Sequence, residues 1–340
     1  KNMYFSEFND LIFRPNLNNS IISLTLLQAS KTDLLMALAT IFEQLKAYPK
    51  RLRRTEKEAF LQEAIQLFDS WGYKTRRLEK KGKIWTSINL ETKVTSPEFI
   101  ILAHYDTPIM LPPWIEPFVR IFGHTRPFLL SVVLLLFFAL VIYLPGKIFA
   151  ITAILLGLSF LLMLLPNPKN YNDNTSGVLG LLSIAEQLKN IPKAKKRVKF
   201  VLVDNEEMIL TGAEHLRDSW EEEGASFGDA RILSLDCIGW GKQPVIIRNG
   251  PSYVGVELLS IFQEEKPESK LVNMGLMPLN DNYIFRDSGA VLVSYMDKAA
   301  LKNSYYIKNI HSIFDKRLDL NKIKWITDNI LEYMKRQDAF

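Results

Sequence analysis

The chain is 340 residues long, 48% hydrophobic, and carries a formal net charge of +5. That length holds one large α/β domain with an insertion, or two domains. Lys and Arg fall in short clusters (Lys50 to Arg54, Lys74 to Lys83, Lys193 to Lys199, Lys316 to Lys324) among carboxylates, with no aromatic–basic platform. This mild basicity suits an anionic membrane surface and excludes a nucleic-acid reader. Cys237 is the single cysteine, which excludes a disulfide framework and a thiolate zinc site. Any metal must be held by His, Asp and Glu.

Residues 1–31 are apolar and Asn-rich without a clear period, a segment of unassigned role. From Thr32 to about Tyr48, Leu34, Leu35, Leu38, Ile41, Phe42 and Leu45 recur at helical spacing. A second amphipathic helix runs from about Thr55 to Trp71, with Gly72 as its C-terminal cap. Strands follow around Lys83 to Leu90 and Glu98 to Ala103. The second delivers His104 and Asp106, two positions apart and so on one side of the strand, at its carboxyl end. That end is where α/β sheets collect ligands, and a carboxylate beside a metal-binding His fixes its tautomer. The pair alone is more often a satisfied strand-end histidine, so its partners decide.

The composition then changes. Pro127 to Leu144 and Ile148 to Leu165 are two 18-residue segments (144 − 127 + 1 and 165 − 148 + 1) without a charge, separated by Pro145-Gly146-Lys147. Each is just long enough to cross a hydrocarbon layer of ~30 Å as a helix. A buried core hairpin would show a polar stripe, and only Ser131, Thr152 and Ser159 interrupt these segments. The expectation is a transmembrane hairpin at 127–165, with Trp114, Phe118 and Tyr143 near its ends. Arg120, Arg126 and Lys169 outside it, against Lys147 at its tip, place the flanking domain in the cytoplasm.

After the hairpin the α/β rhythm resumes. Asp173-Asn174-Thr175-Ser176-Gly177 precedes a helix to about Leu188, and a strand from Arg197 to Val203 runs into Asp204-Asn205-Glu206-Glu207. Thr211 to Glu223 reads as a helix, and Arg231 to Leu235 as a strand ending on Asp236. Further strands are Val245 to Arg248 and Ala290 to Tyr295. Ile307 to Ser312 carries His311, and Leu318 to Met334 closes the chain as a helix. Alternating strands and helices imply a sheet whose strand ends form one rim. Gathering these carboxylates and imidazoles there requires cations, because like charges ~4 Å apart repel by several kcal/mol at intermediate dielectric. Two divalent ions would neutralise three ligating carboxylates and one hydroxide. Hard O and N donors suit a catalytic Zn, Co or Mn pair.

The ordered motifs are His104-Tyr105-Asp106, Asp173-Asn174-Thr175-Ser176-Gly177, Glu206-Glu207, Leu235-Asp236 and His311-Ser312-Ile313-Phe314-Asp315. Over roughly residues 32 to 336 this order resembles the M28 family of zinc exopeptidases, the co-catalytic aminopeptidase group. The resemblance implies a three-layer α/β/α sandwich with a mixed, mostly parallel sheet, as two parts (32–126 and 166–340) around the hairpin. It implies two zinc ions: His104 and Asp236 bind one, Glu207 and His311 the other, and Asp173 bridges both. Asp106 would orient His104, and Glu206 would be the general base, moving a proton from the water between the metals to the leaving amine. A glutaminyl cyclase or carboxypeptidase on the same fold, or a non-catalytic membrane receptor, are the alternative readings. Peptide substrates that are hydrophobic or membrane-associated, and the lipid bilayer, are the expected partners.

Two departures stand out. His104 and Asp173 lie 69 positions apart (173 − 104), the gap filled by the hairpin. The family's SDHxxFxxxG pattern reads Asn280-Asp281-Asn282-Tyr283-Ile284-Phe285-Arg286-Asp287-Ser288-Gly289, with Asn282 in place of His. Tyr305 and Tyr306 could offer a hydroxyl to a developing oxyanion, although packing is the better reading, as it is for His124, His215 and Cys237.

Overall fold

Phe99–His104 and Val198–Val203 are apolar enough to be covered on both faces, and they pair in parallel at the centre of the sheet. The computed structural model describes residues 32–82, 86–224, 229–274 and 280–340. The segment 1–31 and the start of the expected strand at Lys83 lie outside these. Alternate side chains of the two central strands part company. Phe99, Ile101, Ala103, Phe200 and Leu202 join one buried cluster, whereas Ile100, Leu102, Val201 and Val203 join another.

The chain begins with helices α1 (32–45) and α2 (Arg54–Ser70), then strands β1 (Thr75–Lys81), β2 (Thr86–Thr92) and β3 (Phe99–His104). Helices α3 (Ile115–Phe122), α4 (Pro127–Ile142) and α5 (Gly146–Phe160) follow. Next come α6 (Gly177–Leu188), α7 (Pro192–Arg197), β4 (Val198–Val203), α8 (Thr211–Glu222), β5 (Arg231–Leu235) and β6 (Gln243–Arg248). The last elements are α9 (Tyr253–Glu265), β7 (Lys270–Asn273), β8 (Val291–Lys298), β9 (Tyr305–Tyr306) and α10 (Leu320–Arg336). The strand order is β1-β2-β4-β3-β5-β8-β6-β7, with β9 on β8. Among the described strands, β3–β4, β3–β5, β5–β8 and β6–β7 pair in parallel and the other four pairs are antiparallel. The central sheet is therefore mixed around a parallel centre. Helices α1, α2, α6, α9 and α10 cover one face, and α8 covers the other through Ala213, Leu216 and Trp220.

The sequence expectations lack β1, β7, β9, α3, α7 and α9. In β1 the residues Arg76, Arg77, Glu79, Lys80 and Lys81 hide the strand, but an edge strand tolerates charge. Its cations pair across the surface, Arg76 with Glu223 at 2.7 Å and Lys80 with Glu222 at 3.2 Å.

The two apolar segments do form a helical hairpin, but its helices are shorter than the expected spans. Helix α4 has 16 residues and α5 has 15, and after Phe160 the chain tightens into a 3-10 turn, Leu161–Leu164. They rise about 24 and 22 Å at 1.5 Å per residue, short of the ~30 Å hydrocarbon layer. Among the described residues no helix is long and apolar enough to cross a membrane. Counting uncharged residues overstated the spans because the turn residues at their ends are uncharged too. The cytoplasmic placement, which required a crossing, loses its basis. Trp114 stacks on Phe137 (5.6 Å between centroids) and donates from Nε1 to Ser159 Oγ at 2.9 Å, so it binds the hairpin to α3. The neck is closed by an Ile109–Pro166 bridge, with Met110 N–H donating to Leu165 O and Asn167 N–H to Pro108 O, both at 3.1 Å. Leu135, Leu136, Leu140, Ile151, Ile154 and Leu155 face outward, exposed.

Candidate active site

The parallel strands end on one rim, and each ending carries a polar group. Strand β3 ends on His104, β4 runs into Glu206 and Glu207, and β5 runs into Asp236. Asp173 precedes α6, and His311 lies in the loop before α10. The fold brings the five expected ligands together. Asp173 sits between the two imidazoles, its Oδ1 3.4 Å from His104 Nε2 and its Oδ2 3.0 Å from His311 Nε2. His104 Nε2 is also 3.4 Å from Asp236 Oδ1, and His311 Nε2 is 3.4 Å from Glu207 Oε2. Two triads of converging donor atoms result, His104–Asp173–Asp236 and Asp173–Glu207–His311, sharing Asp173. A third, His104–Glu206–Glu207, shows that Glu206 reaches the same space.

Three side chains tie the ligand-bearing loops to one another. Asp106 accepts the backbone N–H groups of Glu206 (3.1 Å) and Glu207 (3.2 Å), and its Oδ1 stands 3.5 Å from His104 Nδ1. Asn174 accepts from Gly177 N–H (2.9 Å) and Cys237 N–H (3.2 Å), and donates to Leu235 O (2.8 Å), joining the Asp173 loop to the Asp236 loop. Asp315 accepts the N–H groups of Asn172 and Asp173, each at 3.0 Å, joining the His311 loop to the Asp173 loop. Arg51, fully buried, donates to the Tyr105 carbonyl, to Tyr48 O (2.8 Å) and to Thr175 Oγ1 (3.1 Å). Burial lowers its pKa to about 10, against the raising effect of Asp106 and Asp173, so a cation persists beneath the site at neutral pH.

The backbone is strained where it carries these groups. Asn205 (φ 52°), Ile209 (φ 60°), Leu210 (φ 58°), Cys237 (φ 54°) and His311 itself (φ 55°) are left-handed. For β-branched Ile209 that is a marked outlier, and such strain costs of order 1–3 kcal/mol per residue where function holds it. Helix α8 closes tightly on the same loop. A Cβ on Gly212 would lie 1.5 Å from the Asp204 carbonyl oxygen, so only glycine fits.

Charge in the site is out of balance. Burial raises Glu206 and Glu207 well above the usual carboxylate range; His104 opposes this, while Glu207, Asp281 and Asp236 add to it for Glu206. Burial alone would lower His104, but Glu206, Asp106, Asp173 and Asp236 reverse that and raise it well above the usual imidazole value. Asp173 is lowered despite burial, because the adjacent His104 and His311 imidazoles favour its charged form. The donor set fits a pair of cations. Asp173 Oδ2, Glu207 Oε1 and Asp236 Oδ1 are buried without a hydrogen bond, and unpartnered buried groups cost about 1–3 kcal/mol each.

A cavity of about 380 Å³ opens over the cluster. Asp173, Glu206, Glu207, Asp236 and His311 line one side, and Leu111, Ile209, Met274, Met296, Ile307 and Ile310 make an apolar wall. Sequence reasoning missed several contributors. Asp281 is buried, its two carboxylate oxygens lack partners, and burial raises it to about 7 against His104. Arg51 was hidden in a basic cluster that reads as surface. His124 and Leu111 reach the cavity from segments flanking the hairpin. Tyr305 packs in a buried cluster with Cys237, and neither it nor Tyr306 lines the cavity. Asn282, in place of the family's His, donates to Asn249 Oδ1 at 3.1 Å.

Asp106→Asn should turn an N–H-accepting carboxylate into an amide that meets one of those N–H groups with its own NH2. Zinc affinity and kcat are each expected to fall about 10–100-fold, as for other groups that orient metal ligands. Isothermal titration with zinc and steady-state rates check this; unchanged affinity would remove Asp106 from that role.

Comparisons with known proteins bear on the family and the fold. Residues 166–334 match the family described as Peptidase family M28, which supports a peptidase. A search of curated protein sequences finds no match. Among solved structures, the chain is similar to the LapA aminopeptidase of Legionella pneumophila (TM-score 0.58, 13% identity, 91% of this chain and 75% of that one). It is also similar to a Bacteroides thetaiotaomicron glutaminyl cyclase bound to N-acetylhistamine (0.59, 13%, 88% and 96%). A leucine aminopeptidase precursor from the same organism is a third (0.57, 13%, 88% and 96%). At such identities the likeness is one of fold.

Proposed function

We propose that the chain is a di-zinc aminopeptidase that removes residues from the free amino end of hydrophobic peptides. The observation that carries this reading is Asp173, whose two oxygens face separate imidazoles and so belong to two donor triads. His104, Asp173 and Asp236 would hold one zinc, and Asp173, Glu207 and His311 the other. When bound, the pair supplies Lewis acidity to a carbonyl oxygen and acidifies water. The remaining chemistry belongs to the chain. Glu206, partly buried and with its pKa raised, takes a proton from water and delivers it to the leaving nitrogen. Asp106 holds His104 and the Glu206–Glu207 backbone in register, and the apolar wall receives an apolar side chain and excludes water.

The zinc-loaded chain should release the first residue from a tripeptide with a free amine, and leave its N-acetylated form intact. Cyclisation of an N-terminal glutamine without cleavage would move the assignment to a glutaminyl cyclase, and neither reaction would sink both.

The proposal extends to the hairpin, whose apolar outer face is suited to bed in a lipid surface without crossing it. Arg126 and Lys302 flank Phe128 and Leu129 at its base, where anionic headgroups would lie. Vesicles containing anionic lipid should carry the protein upward in a flotation gradient. Replacing Leu136 and Leu155 together by Glu should weaken binding by about 10²-fold or more, given ~1.5–3 kcal/mol per buried leucine. Equal flotation of the variant would dismiss this role.

A further inference from the structure

We infer that His124 is a hydrogen-bond donor to the carbonyl oxygen of the bound peptide, contributed by the loop that leads into the hairpin. The inference rests on the peptidase reading of the cavity. His124 follows Gly123, which ends α3 in a left-handed turn (φ 79°) so close to Ser304 and Tyr305 that a Cβ there would clash. This pins the loop against β9. Thr125 N–H donates to Tyr305 O (3.2 Å), and Tyr305 N–H donates back to Thr125 Oγ1 (3.0 Å). Between these contacts the Ile307 N–H donates to His124 Nδ1 at 3.0 Å.

That single bond decides the tautomer. A ring nitrogen that accepts from a backbone amide carries no proton, so in the neutral imidazole the hydrogen sits on Nε2. The Nε2 hydrogen has no acceptor among the described residues, and the side chain lines the same cavity as Asp173, Glu206, Glu207, Asp236 and His311. Burial in the cavity wall disfavours the charged imidazole. Cations bound among the carboxylates would favour the neutral form further.

A neutral donor has a specific use there. As the carbonyl carbon becomes tetrahedral, its oxygen gains negative charge. A fixed N–H aimed at that oxygen stabilises it without giving up its proton, and without adding a cation to repel the metals. Since Tyr305 and Tyr306 do not line the cavity, their hydroxyls are not placed for this task. His124 therefore links the hairpin-bearing insertion directly to the reacting bond.

The test compares zinc-loaded wild type with His124→Phe and His124→Gln, the Gln side chain offering an N–H close to the Nε2 position. Phe should lower kcat about 10²-fold with KM within about two-fold, and Gln should recover to within about ten-fold of wild type. Wild-type rates in the Phe variant, or no recovery by Gln over Phe, would overturn the inference. Two measurements are independent of turnover. Nitrogen-15 spectra of wild-type imidazoles should show His124 as the neutral Nε2–H tautomer from pH 5.5 to 8; protonation at Nδ1 overturns the assignment. Leucine hydroxamate, which presents a carbonyl oxygen of the same kind, should bind wild type at least about ten-fold more tightly than the Phe variant. Equal binding also overturns it. If wild type cleaves no peptide, the peptidase reading falls, and these two measurements still decide the role of His124.

Discussion

Replacing Glu206 by Gln is expected to lower kcat by about 10²–10⁴-fold while zinc content and folding stay as in wild type. Gln preserves the volume and hydrogen-bonding reach of Glu but cannot accept a proton at the working pH. The backbone N–H of residue 206 still meets Asp106 Oδ1, so the loop keeps its anchor. Glu207 does not replace the lost base, because its Oε2 is turned toward His311 Nε2 at 3.4 Å. The test needs metal analysis beside the kinetics, since Glu206 also belongs to a triad with His104 and Glu207. A folded variant with full zinc and wild-type turnover would remove Glu206 as the base; one that lost zinc would recast it as a ligand.

The second large effect is expected at Asp173→Ala. Its loss leaves His104 with Asp236 and Glu207 with His311, two donors on each side. Such remnants hold zinc weakly. The fall in affinity should exceed the 10–100-fold expected for Asp106→Asn, because a ligand is lost instead of a group that orients one. Thermal stability offers a readout without substrate. Wild type should gain about 2.7 kcal/mol at a zinc concentration a hundred times Kd, and the variant should gain almost nothing under the same conditions. A variant that still bound two zinc ions would end the bridging assignment.

The site was legible in the sequence to the extent that strand ends were legible. His104, Glu206, Glu207 and Asp236 each follow an apolar run, and a parallel sheet carries such endings to one rim. Asp173 and His311 were readable from motif order alone. What stayed hidden depends on contacts that no local pattern encodes. Arg51 sits in a run of cations, yet its side chain is buried because Tyr105 and Thr175 converge on it from distant segments. Asp281 lies beside an altered motif position, and its burial under the cavity has no counterpart in periodicity. Helices α4 and α5 show the opposite error. Their apolar character was plain, but the turn at Pro145 and the 3-10 turn after Phe160 shorten both below a membrane span.

The ties among the loops also impose an order in time. Asp173 leaves the ribosome long before His311 and Asp315, and until those residues emerge its N–H lacks its acceptor and its Oδ2 lacks its imidazole. Of the two triads that share Asp173, only His104–Asp173–Asp236 can be completed before then. A nascent chain therefore carries four of the five expected ligands, His104, Asp173, Glu207 and Asp236, before the last, His311, is made. The second triad is therefore completed by one late loop, as a consequence of where along the chain His311 is encoded.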